Sequence, residues 1–262
     1  MSLTLLVTGN EIYKRLRILL AYKMNMVTRI LTVGLIFVGI SYFIENGQVN
    51  PAPLASVFLG YLLWFYARIV IVSSCEDMMG EAQAGTLEQM YMSPVPAGLL
   101  LFARMIALLL STTVMVALPM ALLALLLRIQ IPLRWEEGVV LAITLAGLFG
   151  FTLALTGMAL IFKQIEALAD LVQNALLFLT GTLLPVTRFP EWLTIFTQTL
   201  PITQGIIVLR EVSLDQQSLV SVWTNGSLLW LCVNSVCYLL GGMLVFKWGE
   251  SVAKEQGSLG HY

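Results

Sequence analysis

Six long apolar runs constrain this chain more than any other feature of its sequence. An α-helix needs about 20 consecutive apolar residues to cross about 30 Å of lipid hydrocarbon. The runs are residues 27–44, 54–72, 99–127, 138–162, 165–186 and 227–246. We therefore predict an all-α polytopic membrane protein with six transmembrane helices. The fifth run is the weakest of the six because it carries Glu166, Asp170, Gln173 and Asn174.

The composition agrees with this class of protein. Charged residues make up 11% of the 262-residue chain, and hydrophobic residues make up 58%. A soluble domain carries about 25% charged residues, so this chain has too few of them to cover a surface in water. The spans and their connections use up the whole length, and residues 1–262 are predicted to form a single transmembrane domain.

The distribution of lysine and arginine predicts the orientation in the membrane, because cytoplasmic loops carry an excess of these residues. With the N-terminus inside, ten of them lie near the cytoplasmic ends of the spans and four near the outer ends. The ten are Lys14, Arg15, Arg17, Lys23, Arg29, Arg68, Arg104, Lys163, Lys247 and Lys254, and the four are Arg128, Arg134, Arg188 and Arg210. Six spans and this asymmetry predict an inner (plasma) membrane protein with both termini in the cytoplasm.

Residues 8–23 are predicted to form a helix on the membrane surface before the first span. Thr8 and Glu11 have the spacing of a capping box, in which each side chain binds a free backbone amide of the other residue. The segment then has an apolar face and a basic face that includes Lys14 and Arg15. Such a helix is typical of the lipid headgroup region. A simple extension of the first span is the alternative.

The loop over residues 75–97 departs from the usual charge pattern because its charged residues are all acidic. Gly85 interrupts the chain, and Thr86 is predicted to cap a new helix. Pro94 and Pro96 end that helix because proline lacks an amide donor and restricts the residue before it. A short helix at the cytoplasmic surface is a suitable docking point for a soluble partner. An ordinary capped loop is the equally open alternative.

The residues of this loop resemble the signature of type-2 ABC exporter permeases. The resemblance rests on Gly85-Thr86-Leu87-Glu88-Gln89, on Ser93-Pro94-Val95-Pro96 before a long span, and on the upstream Glu76 and Glu81. Phe189-Pro190-Glu191-Trp192-Leu193 and Pro201 resemble the outer re-entrant segment of the same family, which would span residues 187–225. The resemblance covers essentially the whole chain.

This resemblance implies a permease subunit that forms the translocation pathway as a dimer, with a second copy of itself or a related permease. A separate cytoplasmic ATP-binding subunit would bind residues 75–97, which would act as a coupling loop. The residues implied in that contact are Glu81, Gly85, Thr86, Leu87, Glu88, Gln89 and Tyr91. Membrane lipid is the remaining partner, and no nucleic acid is expected.

The chain is not expected to be an enzyme. It contains no GxxxxGK[ST] phosphate-binding loop. ATP and magnesium would be used by the partner subunit, no cofactor would bind directly here, and the chain alone is expected to hydrolyse no ATP. The three cysteines, Cys75, Cys232 and Cys237, and the one histidine, His261, do not have the spacing of a metal site.

Polar and aromatic residues in two of the runs form a candidate substrate pathway, because polar side chains in a membrane usually face the interior of the bundle. They are Tyr61, Trp64, Phe65 and Arg68 in the second run and Asp170, Gln173 and Asn174 in the fifth. We hypothesise that Arg68 pairs with Asp170 at the inner mouth; alternatively, each reaches the membrane interface separately. The aromatic residues either form a gate or only pack.

Two further alternatives stay open from the sequence. Ala142, Ala146, Gly150 and Ala154 lie four residues apart in the fourth run. This spacing lets two helices approach closely, either within one bundle or across a homodimer. An ATP-independent carrier or pore subunit is the alternative to an exporter permease, although the two halves of the chain have no convincing internal repeat. The sequence does not predict the transported substrate.

Overall fold

The computed structural model describes residues 3–21, 23–44, 51–92, 95–129, 134–162 and 165–255. These residues form α-helices and no β-strand. The helices are α1 (Leu3–Ala21), α2 (Lys23–Ile44), α3 (Pro51–Gln83), α4 (Thr86–Tyr91), α5 (Ala97–Leu126), α6 (Trp135–Ile161), α7 (Ile165–Leu179), α8 (Glu191–Gln198), α9 (Thr203–Ser213), α10 (Leu219–Thr224) and α11 (Ser227–Glu255), with a 3-10 turn at Val186–Arg188.

Four of these helices are long and apolar enough to cross a membrane. They are Leu54–Glu81 in α3, Gly98–Leu126 in α5, Trp135–Ile161 in α6 and Ser227–Glu255 in α11. They coincide with four of the predicted runs, so the prediction of an α-helical, multi-pass membrane protein is confirmed. The other two runs, 27–44 and 165–186, fall on α2 and α7, whose apolar parts Leu31–Tyr42 and Ala167–Leu179 are shorter. Length and composition alone therefore support four crossings in the described ranges, or five if the bent pair α8 and α9 is one span.

Helix α5 runs antiparallel to α3. At the C-terminal end of α3, Glu81 pairs with Arg104 near the start of α5. Further back along α3, the Tyr66 hydroxyl donates to the carbonyl of Leu109 at 2.6 Å, deeper in α5. We call the end of the bundle that holds this ion pair the α1 end, because α1 also contacts Arg104 there through Glu11.

Helix α7 also runs antiparallel to α3, whereas α6 runs parallel to it. The indole of Trp64 donates to the carbonyl of Gln173 at 2.7 Å, and beyond the end of α7 the Thr182 hydroxyl donates to the carbonyl of Gly60 at 3.5 Å. The hydroxyls of Ser74 and Thr156 lie 2.8 Å apart, near the α1 end of both α3 and α6. Helix α2 is antiparallel to α3, with the contacts Val33–Tyr61 and Phe37–Phe58.

Helices α6 and α11 pack directly against each other through glycines and run parallel. A Cβ atom added to Gly242 would overlap with the backbone carbonyl of Gly150, and one added to Gly249 would overlap with that of Gly157. Because the contact advances by seven residues on both helices, they point in the same direction. Lipid supplies no hydrophobic drive for helix association, so such close backbone packing is a main source of its stability.

Of the two alternatives for the small-residue stripe, packing within one bundle holds for only part of it. Gly150 is buried in the contact with α11, whereas Ala142 and Ala146 are exposed and Ala154 is half-buried. A straight α-helix has 3.6 residues per turn, so positions exactly four apart drift around its surface. The seven-residue spacing of Gly150 and Gly157 keeps both glycines on the face that meets α11.

Helices α8 and α9 meet at an angle of 89° across a short break, and we call this bent pair the hairpin. At the bend, the carbonyl of Thr199 accepts a hydrogen bond from the amide of Asn234 at 3.0 Å. Asn234 lies only two turns inside α11, so the bend reaches a shallow depth in the bundle. We call the end of the bundle that holds the N-termini of α3, α6 and α11 the hairpin end. The hairpin falls within residues 187–225, where the sequence predicts a re-entrant segment.

Two contacts with α6 give the direction of α9, the second arm of the hairpin. Gly205, near the start of α9, packs so tightly against Thr144 of α6 that no Cβ would fit. At the end of α9, the Ser213 hydroxyl donates to the Glu137 carboxylate at 2.8 Å, at the start of α6. Thr144 lies about 10 Å deeper along α6 than Glu137, at 1.5 Å per residue. The arm therefore runs outward toward the hairpin end.

Helix α1 corrects the predicted N-terminal cap. The helix is already formed at Leu3, so Thr8 lies in its interior and the predicted capping box at Thr8 and Glu11 is wrong. Leucine favours the helix and no glycine or proline precedes Thr8, so nothing in that stretch ends the helix there. Glu11 instead lies 3.8 Å from Arg104 and 3.9 Å from Lys14. Exposed leucines on α1 agree with a position at the lipid interface.

The glycine contact between α6 and α11 predicts a difference between two adjacent glycines of α11. Gly242→Ala is expected to lower the thermal unfolding midpoint in detergent, because overpacking a tight contact costs about 1–3 kcal/mol. Gly241→Ala is expected to leave it unchanged or raise it, since no atom lies within 4 Å of that Cβ position and alanine favours a helix by about 1 kcal/mol. Tryptophan fluorescence during heating measures both. Equal shifts for the two variants would contradict this contact.

Candidate functional site

A sharp corner joins α3 to the short helix α4 at the α1 end. Helix α3 ends at Gln83, and α4 covers the six residues Thr86–Tyr91. Between them Gly85 has a φ of +67°, a left-handed conformation that glycine adopts without the steric cost of a side chain. The predicted short helix after Gly85 is therefore present. The predicted loop 75–97 is corrected in its first part, because α3 continues through it with Met78 and Met79 buried against the core.

The side chains of α4 divide into an anchor and an exposed surface. Met90 is buried and packs against the core, while Thr86 and Gln89 are exposed, as is Met92 just beyond the helix. The Thr86 hydroxyl donates to the carbonyl of Glu81 at 3.2 Å, so it contacts the end of α3 and does not have the predicted role as a cap of α4. The side chains of Leu87, Glu88 and Tyr91, and all of Ser93 and Pro94, lie outside the described part of the chain.

A network of ion pairs joins three helices beside this corner. Arg104 of α5 pairs with Glu81 of α3, and its Nε atom lies 3.8 Å from the Glu11 carboxylate of α1. Arg15 of α1 pairs with Asp77 of α3. Burial lowers the pKa of the Arg15 guanidinium, and the nearby Glu11 carboxylate acts in the opposite direction. Glu81, predicted to contact an ATPase, is thus bound within the chain itself.

A cavity of about 470 Å³ with a mixed polar and apolar lining lies beneath α1, between α3 and α5. Charged groups of both signs line its mouth, including the Arg104 and Arg15 pairs, and Ser111 and Met115 line its deeper part on α5. A cavity of this size and lining can hold water or a small polar group close to the ion pairs. None of the seven predicted pathway residues lines it.

The three predicted aromatic pathway residues pack inside one chain. Tyr61, Trp64 and Phe65 are all at least 95% buried. The ring centroids of Tyr61 and Trp64 are 5.3 Å apart, and Phe37 of α2 lies 5.2 Å from Tyr61. The hydrogen bond from Trp64 to the Gln173 carbonyl fixes this cluster against α7. Of the two alternatives for these residues, the geometry favours packing.

The hypothesised pair of Arg68 and Asp170 is not present. The Arg68 guanidinium lies over the Trp64 ring, 5.7 Å from its centroid. Asp170 accepts a hydrogen bond from the Gln173 amide at 3.4 Å. Within the ranges that the structure describes, no ion pair joins Arg68 to Asp170. Helical spacing assigned Arg68 to α3 and Asp170 to α7, but it could not predict how the two helices are rotated relative to each other.

Two of the predicted polar residues face outward from α7. Asp170 and Asn174 are exposed, on a face where Leu171 and Phe178 are 66% and 63% exposed. Gln173 is the buried member of the set, and its side-chain oxygen has no hydrogen-bond partner in the described chain. Polar side chains among apolar ones on a membrane helix usually face protein or water and not lipid. This face of α7 is therefore a candidate contact or pathway surface.

Arg210 is the residue that sequence reasoning most clearly missed. The sequence assigns it only to the four basic residues of the outer side. In the structure, its guanidinium donates to the backbone carbonyls of Ser56 and Thr182. The sequence feature that could have identified Arg210 is its position after the apolar residues that begin at Ile206. A charge at such a position requires partners. Its partners are backbone atoms, which a sequence pattern does not reveal.

Comparisons with known proteins assign no family to this chain: no family model matches it, and no curated protein matches it significantly. Among the described residues, no group of three or more histidine, cysteine, aspartate or glutamate side chains could hold a metal ion.

The ion pair of Glu81 and Arg104 can be tested by charge exchange. Arg104→Glu is expected to lower the thermal unfolding midpoint, because it leaves the partly buried Glu81 carboxylate without its partner and adds a like charge beside it, at about 1–3 kcal/mol. Adding Glu81→Arg is expected to restore part of the loss. A matched exchange of the exposed pair Glu250 and Lys254 should change the midpoint little, since such helical pairs contribute about 0.2–0.5 kcal/mol. No recovery in the Glu81 and Arg104 exchange would contradict the pairing.

Proposed function

We propose that this chain is the permease subunit of an ATP-driven exporter of the type-2 ABC class. It would work as a dimer with a second copy of itself or a related permease, and a separate ATP-hydrolysing subunit would bind α4. The observation that carries this proposal is the short helix α4 (Thr86–Tyr91), set off from α3 by the left-handed Gly85 and located at the opposite end of the bundle from the hairpin.

Contacts between the helices support six crossings. Because α6 and α11 run parallel, the chain between them must cross the bundle an odd number of times. Because α7 is antiparallel to α3, it ends at the hairpin end, where α9 also ends and α11 begins, so α7 supplies this crossing. With α2, α5 and α7 running in one direction and α3, α6 and α11 in the other, the bundle alternates. Helix α7 rises only about 22 Å, and local thinning of the bilayer accommodates such a mismatch.

The charges of the α1 end support a cytoplasmic location for α4. Lys14, Arg15, Arg104, Lys247 and Lys254 all lie on helix segments at this end, and basic residues favour the cytoplasmic side. Both α1 and the C-terminal end of α11 are at this end, because α11 runs parallel to α6. The protein would then lie in the inner (plasma) membrane with its termini in the cytoplasm. The hairpin would lie at the outer surface.

The contacts of α4 support a coupling role. Its buried Met90 anchors it to the bundle, and Thr86 binds the end of α3. A force applied to the exposed Gln89 and Met92 would pass into α3 and, through Glu81 and Arg104, into α5 and α1. Glu81 would therefore transmit movement inside the permease. An ATP-independent carrier gives no role to this helix, so the exporter remains the preferred function.

The exposed polar face of α7 supports the dimer. Asp170 and Asn174 would be unfavourable if they faced lipid. A second copy of the chain placed against this face would cover them and form a polar pathway between two subunits. The aromatic cluster around Trp64 would then lie behind that pathway as its packed support.

Co-purification with an ATPase tests the function directly. The chain should retain the ATP-hydrolysing subunit encoded beside it when both are expressed together, and the isolated chain should hydrolyse no ATP. Met92→Asp is expected to weaken this binding about tenfold or more, because burying a charge in place of an apolar side chain costs at least about 1.4 kcal/mol.

Glu191→Arg provides the matched control, because Glu191 is exposed at the hairpin end and should leave binding unchanged. Binding is measured as the amount of ATPase retained on the tagged permease and by its affinity in detergent. The function would be refuted if the isolated chain hydrolysed ATP. It would also be refuted if Met92→Asp and Glu191→Arg bound the ATPase equally well.

A further inference from the structure

Arg210 joins three segments of the chain at the hairpin end. It lies on α9, the second arm of the hairpin. Its Nε and Nη2 atoms donate to the Ser56 carbonyl of α3 at 3.1 and 2.9 Å, and Nη2 also donates to the Thr182 carbonyl at 3.2 Å. Thr182 follows α7. One planar guanidinium therefore holds α9, α3 and the chain after α7 together.

Gly60 makes this junction possible. A Cβ atom at Gly60 would lie 2.8 Å from the Arg210 Nη2 atom and 2.9 Å from the Cα atom of Thr182. Only a residue without a side chain lets the guanidinium and the Thr182 backbone come this close to α3. The Thr182 hydroxyl, which also lies 2.9 Å from that of Thr180, adds the hydrogen bond to the Gly60 carbonyl.

The charge of Arg210 makes the junction difficult to open. No carboxylate lies within ion-pair distance of Arg210 in the part of the chain that the structure describes. Its described partners are backbone carbonyls. If α9 moved away from Ser56 and Thr182, the part-buried cation would lose these hydrogen bonds, and hydrogen bonds made by a charged group are among the strongest in proteins. We therefore expect α9 and α3 to move as one body at this end.

Helix α3 connects this junction to α4. It is continuous from Pro51 to Gln83, 33 residues without a break, and so about 50 Å long. Ser56 and Gly60 lie near one end, and the corner at Gly85 lies just beyond the other. A displacement of α4 would therefore reach the hairpin along a single rigid element.

We propose that Arg210 is the positioning residue that couples the re-entrant hairpin to α3, so that movement of α4 is transmitted to the hairpin across the whole bundle. This proposal rests on the proposed function, because the movement is supplied by an ATPase bound at α4. The junction itself does not depend on that function and can be tested in the isolated chain.

Cysteine labelling tests the junction without any partner. Thr203 lies at the start of α9, is fully buried, and its hydroxyl has no hydrogen-bond partner in the described chain. Thr203→Cys should therefore cost little contact with the surrounding residues. It is introduced into a variant in which Cys75, Cys232 and Cys237 are replaced by alanine. Its reaction with N-ethylmaleimide in detergent then reports how often the hairpin opens.

Arg210→Gln is expected to accelerate this labelling about tenfold, which corresponds to about 1.4 kcal/mol, the size of one lost hydrogen bond to a charged group. Arg188→Gln, which alters an exposed arginine at the same end, should leave the rate unchanged. Equal rates in the two variants would overturn the junction.

Gly60→Ala provides a second variant if Arg210→Gln fails to fold. Its Cβ would push the guanidinium and Thr182 away from α3, so it should also accelerate labelling. Gly241→Ala, whose Cβ position is open, should not. Failure of Gly60→Ala to change the rate would overturn the junction in the same way.

The transmission is tested in the complex with the ATPase. The labelling rate of Thr203→Cys should differ between the nucleotide-free complex and the complex trapped with ATP and vanadate. In the Arg210→Gln variant this ratio should fall to about 1, as expected when the coupling free energy between the two sites is lost. A ratio that persists in this variant would overturn the role of Arg210. No response in the parent complex would also overturn the transmission, whereas failure of the chain to form a complex with the ATPase, with the junction intact in the isolated chain, would instead refute the proposed function.

Discussion

Where Gly150 meets Gly242 and Gly157 meets Gly249, two helix backbones touch without side chains between them, and this contact makes α6 and α11 run parallel. The direction of every other helix follows from that constraint together with the contacts of α3. Because α6 and α11 are parallel and α7 is antiparallel to α3, the short helix α7 connects the two ends of the bundle between them. The glycine contact brings the end of α11 to the end of the bundle where the contacts of α3 place α1 and α4.

The two ends of the bundle are held by different interactions that meet on one helix. At the α1 end, side-chain ion pairs of Arg15 and Arg104 join α1, α3 and α5. At the hairpin end, Arg210 binds backbone carbonyls of α3 and of the chain after α7. The ion pairs join charged side chains and are weakened by salt, whereas Arg210 is bound through part-buried hydrogen bonds to the main chain. Helix α3 is therefore held through its backbone at the hairpin end and through its side chains at the end where a partner would bind.

The parts of the fold that depend on local sequence could be predicted, and the parts that depend on rotation between helices could not. The length of the apolar runs predicted the four long spans, and Gly85 predicted the corner before α4. Both features depend only on residues that are close together in the sequence. The cap at Thr8 failed because the leucines before it extend α1. The predicted pair of Arg68 and Asp170 is absent, because each residue contacts a partner on its own helix, the Trp64 ring and the Gln173 amide. Arg210 was missed because its partners are backbone carbonyls from distant segments of the chain.

The location of α4 and of the hairpin on opposite sides of the membrane is most directly tested by single cysteines and a membrane-impermeant maleimide. Gln89 on α4 and Thr224 at the end of α10 are both exposed, so each can be replaced by cysteine without disturbing the core. An alternating six-helix bundle with cytoplasmic termini predicts that Gln89→Cys reacts only in inside-out vesicles and Thr224→Cys only in intact cells. Labelling of both positions from the same side, or with the two sides exchanged, would contradict it.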